Sequence, residues 1–165
     1  MGTGLFTQKN LVIPLCAGAT VITSNTEMDS FNMKLYNHAT IIMVFLASMT
    51  GDNILTLECG ATDSSDTSDA TFHYRLGGTP ASASSDVLAA DATSSALTLT
   101  AATYQGKMLV VELNADELPK SGETVYDWVT VDFDGSASTA SVTAFAILSE
   151  PRYARAIMPT AIPTT

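Results

Sequence analysis

Apolar and polar residues alternate with period two along most of the chain. In "TFHYRL", residues 71–76, Phe72, Tyr74 and Leu76 fall on one side and Thr71, His73 and Arg75 on the other, the pattern of a half-buried strand. "ILTLEC" (54–59) sets Leu55, Leu57 and Cys59 against Thr56 and Glu58. "KMLVVEL" (107–113) groups Leu109, Val111 and Leu113, and "VYDWVTVDF" (125–133) groups Val125, Val129, Val131 and Phe133. "ASVTAFAIL" (140–148) alternates small residues with Phe145 and Ile147. The β-branched enrichment agrees with strands.

One segment breaks the alternation. In "HATIIMVFLASM" (38–49) both sides are apolar, with Ile42, Val44 and Leu46 on one and Ile41, Met43, Phe45 and Ala47 on the other. An antiparallel sheet usually keeps one face wet. Such a strand is either covered on both sides within its own domain or meets another subunit with its second face.

Between these runs stand breakers. "MTGDN", "GATDSSDTSD", "GGTPASASSD", "TYQG", "ADELPKSGE" and "DFDGSAST" are rich in Gly, Pro, Asp and Ser, which stabilise turns. Only "NADELP" suggests a helical turn, with Asn114 as N-cap and Pro119 as its stop. Many short strands with frequent turn signals predict a single all-β domain, an antiparallel β-sandwich of jelly-roll-like kind, over residues 31–150. The ends differ from this body. Residues 1–30 form an expected N-terminal arm and residues 151–165 an extended C-terminal tail. Both carry apolar residues, among them Leu11, Ile13, Ile157 and Met158, whereas disordered tails are depleted in them. They are expected to be ordered against something.

Composition narrows the partners. The 165 residues suffice for a core that buries about 70% of the unfolded chain's surface. Charged residues make up only 15%, and the net charge is -10. Nucleic acid is thereby excluded as a partner, because phosphate binding needs clustered Lys and Arg. The longest apolar run, Ala39 to Met49, is about half the roughly 20 residues of a membrane-spanning helix, and the first twenty residues lack a basic, uninterrupted leader pattern. No membrane partner is expected. Cys16 and Cys59 read as free, mostly buried thiols of a reduced protein.

The chemical inventory is thin. His38 and His73 stand outside any ligand spacing with Cys, Asp or Glu, and His73 reads as an exposed strand residue beside Arg75. Phosphate loops, nucleophile elbows and metalloprotease motifs are missing, so the expectation is a protein without catalytic activity, cofactor or metal. Asp63, Asp66 and Asp69, like Asp132 and Asp134, lack calcium-loop spacing and read as solvated turn residues. Trp128 lies opposite Val129, beside Tyr126 and Thr130, at an exposed or interfacial position.

"YNHATIIMVFLAS", "GDNILTLECGATD", "ATFHYRLGG", "LVVELNADELP", "YDWVTVDFDG" and "SVTAFAILSEPRYA" follow one another from Tyr36 to Ala154. In that order they resemble a family of small virion structural proteins of tailed bacteriophages. The resemblance implies a capsid decoration or cement protein on the outer surface of the virion, bridging subunits of the major capsid protein and itself a homotrimer. On this reading the prolines at 151, 159 and 163 stiffen a docking tail. Pro151, Arg152, Tyr153, Arg155, Ile157 and Met158, with Leu11 and Ile13 from the other end, are the expected contacts to capsid or neighbouring subunit. Arg152 and Arg155 pair with carboxylates of a partner or of the chain itself, and Tyr153 acts as a rigid anchor. The competing class is a receptor- or glycan-binding module on the tail or fibre.

Overall fold

Alternation sorts the strands into layers by the side each one buries. The computed structural model describes residues 5–23, 25–46, 48–80, 82–83, 85–135, 140–153 and 158–162. In chain order these contain β1 Leu11–Pro14, β2 Thr20–Ile22, β3 Thr26–Glu27, β4 Phe31–Asn32, β5 Tyr36–Phe45, β6 Asp52–Gly60, β7 Ser68–Asp69 and β8 Phe72–Leu76. There follow β9 Ala92–Ser94, β10 Ala96–Thr100, the one-turn helix α1 Ala101–Tyr104, β11 Met108–Asn114, β12 Lys120–Ser121, β13 Thr124–Val125, β14 Trp128–Asp134 and β15 Ala140–Pro151.

The first layer is a seven-stranded sheet in the order β1-β15-β5-β11-β8-β9, with β2 also on β15. The second has six strands in the order β10-β6-β14-β3, with β4 on β14 and β7 on β6. All pairings are antiparallel, and the chain passes repeatedly from one layer to the other, as in a sandwich. Ile41, Met43 and Phe45 of β5 and Leu109, Val111 and Leu113 of β11 face inward from the first sheet. Leu55, Leu57 and Cys59 of β6 and Val129, Val131 and Phe133 of β14 meet them from the second, in one continuous core. Each such large apolar side chain stabilises the fold by about 1.5–3 kcal/mol. Tyr104 of α1 closes one end, edge-on to Phe45 at 6.1 Å between ring centroids.

Three local features depart from the expectations. Val125 does not join the core with Val129; it lies exposed in the small β12–β13 hairpin. In "NADELP" the capping is reversed: Glu117 Oε2 accepts from the Asn114 backbone N–H and Nδ2, at 3.1 and 3.0 Å. The expected N-terminal arm is ordered against the chain's own larger sheet and forms two of its strands. β15 offers a second set of backbone groups beyond β5, and β1 and β2 both add to it, so Ile13, Leu15 and Ile22 are 4%, 1% and 0% exposed.

Candidate interaction surfaces

β15 distributes its side chains against intuition. The small residues Ala140, Ala144 and Ala146 point into the core, whereas Phe145 and Ile147 lie half-buried on the outward face. Register then places Pro14 beside Phe145, Phe145 beside Ile42, and Ile42 beside Val110. One apolar row therefore crosses four strands. Adjoining rows add Val12 next to Ile147 and Val44 next to Met108. Val12, Val21, Val44 and Leu46 are 44%, 53%, 38% and 40% exposed, and strand parity sets them on this same face. The second apolar side of the "TIIMVFL" strand is thus an outer surface.

Toward the other end of these strands the face turns polar. His38 Nδ1 lies 2.9 Å from Asn114 Oδ1, and His38 Nε2 lies 3.5 Å from Glu112. His73 Nδ1 donates to Asp91 at 2.9 Å, with Glu117 at 3.6 Å from its other ring nitrogen. The hydrogen bond accepted by Asp91 is the main reason the His73 pKa is raised.

The outward face of the six-stranded sheet is acidic. Glu58 stands in register with Thr130 and Asp69, and Asp132 with Glu27. Burial, followed by the charge of Asp132 and then of Asp66, Glu27 and Asp69, pushes the Glu58 pKa up to about 7. Asp132 and Asp69 are raised as well, mainly by burial. The Ser30 and Thr130 hydroxyls, 2.7 Å apart, satisfy each other beneath this cluster. Among the described residues the ion pairs all lie on the other sheet, and no three His, Cys, Asp or Glu converge as a metal ion requires.

The C-terminal segment divides in two. Pro151 ends β15 opposite Tyr36, after Glu150 in the left-handed region at φ 55°. The Arg152 backbone N–H donates to Leu35 at 2.9 Å, while its side chain lines a shallow cleft with Asn37, Asn114, Asp116 and Glu150. Among the described residues no carboxylate lies within ion-pair distance of that guanidinium. Tyr153 is 63% exposed. Arg155 and Ile157 lie outside the described residues. Beyond them the chain returns to its own body. Met158 packs against the core, the Tyr36 hydroxyl donates to Pro159 O at 2.6 Å, and the Asn32 N–H donates to Ala161 O at 2.7 Å.

The expected contact residues therefore separate. Arg152 and Tyr153 are available to a partner, Pro151 is half-buried, and Leu11, Ile13 and Met158 are engaged with the chain's own core. The outward apolar band went unassigned in the sequence except through the two-sided run at Ile41–Leu46. The large-small alternation of "TAFAIL" was the other available signal.

No protein-family model and no curated protein matches the chain. One solved structure, "Structure of infectious bursal disease virus Gt strain", aligns over 96% of this chain at 12% identity and a TM-score of 0.19. The aligned part spans 42% of that chain, and a likeness at this TM-score carries no argument about fold or function.

Proposed function

We propose that this chain is a virion structural protein, a capsid decoration or cement protein that lies on the outer surface of a bacteriophage head and bridges subunits of the major capsid protein. The observation that carries the reading is the apolar band on the seven-stranded sheet, where Phe145 and Ile147 lie outward although the small Ala144 and Ala146 take the adjacent core positions. A contiguous apolar face of that kind marks a surface for other chains to cover. The ordered resemblance from Tyr36 to Ala154 supports the choice of a virion as the setting. Arg152 and Tyr153 supply a cationic, aromatic corner on a molecule of net charge -10, suited to carboxylates of a shell. Binding the assembled shell more tightly than its free subunits stabilises it by mass action, without catalysis.

Co-sedimentation of the purified chain with tailless heads, followed by electron microscopy, tests the reading. Saturable binding at fixed stoichiometry and greater heat resistance of the heads are expected. Association with tails alone, or binding to glycans and not to heads, overturns it in favour of a fibre module.

A further inference from the structure

We infer that the apolar band of the seven-stranded sheet is covered by a second copy of this chain, the two sheets packing face to face across a twofold axis. The inference rests on the reading of this face as an assembly surface; it gives the band to a second copy and leaves the exposed corner of Arg152 and Tyr153 for the shell.

Shape is the first argument. The band lies on a broad antiparallel sheet, its central row running Pro14, Phe145, Ile42 and Val110 across four strands. A twisted sheet surface fits another of the same twist, as aligned sandwich layers do about 10 Å apart. An identical sheet supplies that match without further design.

Charge is the second. The chain holds 17 acidic and 7 basic residues, so two copies repel one another over most of their surfaces. The side chains of the band are uncharged, with Arg75 next to Val110 and Glu112 next to Thr40 at its polar border, and the acidic cluster of Glu58 and Asp132 sits on the opposite sheet. Apposition through the band keeps those clusters far apart. Apposition through the six-stranded sheet would instead set Glu27, Glu58 and Asp132 of each copy against those of the other.

Area is the third. Val12, Val21, Val44 and Leu46 are 44%, 53%, 38% and 40% exposed around the half-buried central row, the makings of an apolar patch on the order of a few hundred Å². A stable interface covers roughly 800 Å² per partner with an apolar centre and a polar rim, and the band with Thr40, Thr143 and Ser141 around it has that layout. A self-complementary single face closes at two copies; a ring of three needs two different surfaces. The expected species is a dimer with a dissociation constant on the order of micromolar or below.

Sedimentation equilibrium of the full chain in the absence of any shell reads this directly. Wild type is expected to be dimeric at about 100 μM and to dissociate on dilution. Val44→Lys and Val12→Glu, both at outward positions, are expected to be monomeric at that concentration, with unchanged circular dichroism and thermal unfolding still cooperative. Weakening of at least 100-fold is the expected shift. A monomeric wild type, a trimer, or a dimer unaffected by both substitutions overturns the inference. Binding of the same variants to heads separates it from the proposed function. A monomeric wild type whose head binding is lost in Val44→Lys assigns the band to the shell and leaves the decoration role standing; a band-dependent dimer that binds no particle does the opposite.

Discussion

Replacing Glu58 with Gln tests the electrostatics of the six-stranded sheet. Glu58 is half-buried on the outward face of β6, and burial together with the charge of Asp132 and its neighbours raises its pKa from 4.5 to about 7. A carboxyl that holds its proton more tightly when folded favours the folded state at low pH. That contribution is complete below about pH 4.5 and is lost as the pH rises through about 7. Taken bare, the displacement corresponds to about 3 kcal/mol, but solvent screens a half-exposed group, and about 1 kcal/mol is the reasonable expectation. Glutamine keeps the shape and removes the charge. At pH 8 the Glu58→Gln protein should therefore melt about 2–4 °C above wild type. At pH 5 the two should nearly coincide, and 1 M NaCl should narrow the gap at pH 8. Scanning calorimetry between pH 5 and 8 measures all three. Wild type should lose stability across that range, and the variant less steeply, with the raised pKa values of Asp132 and Asp69 leaving a residual slope. A variant that melts below wild type at pH 8, with an undiminished slope, refutes the assignment.

Tyr36→Phe removes the hydroxyl that donates to Pro159, and should cost about 1 kcal/mol and speed proteolysis after residue 158, read by limited digestion and mass spectrometry. Gly60→Ala sets a methyl group against Ser65, backbone oxygen included; a loss of about 1–3 kcal/mol in urea unfolding is expected, and a neutral result contradicts the packing there. Glu150→Gly relieves a non-glycine residue at φ 55° and should stabilise by up to about 1 kcal/mol in the same assay.

The layers were legible because alternation and burial are two views of one constraint. Leu55, Leu57 and Cys59, and again Leu109, Val111 and Leu113, follow from period two alone, and the structure buries all six. Partners in the sheet were another matter. That β15 lies between β1 and β5 depends on contacts more than 90 residues apart in sequence, such as Ile147 with Thr40 and Val12, which no local pattern encodes. For the same reason Leu11 and Ile13 read as an arm, since their hydrogen-bonding partner comes at the other end of the chain. Phe145 misled in its own way. A large aromatic residue in a strand suggests the core, yet strand parity gives the inward positions on either side of Phe145 to Ala144 and Ala146, with Val142 and Leu148 beyond them, and turns Phe145 outward. The acidic face was hidden because Glu27, Glu58, Asp66, Asp69 and Asp132 come from separate segments and meet only after the strands pair.

The position of β15 also bears on how the molecule comes into being. This strand holds β1, β2 and β5 together, yet it leaves the ribosome after all three of them. Until then Ile13, Ile22 and the whole of β5 lack the neighbour that completes their sheet, and nascent chains expose them. Closure of the larger layer therefore waits for β15, slow in the manner of folds dominated by distant pairings. During that interval the unfinished edges are open to chaperones, or to the wrong chain.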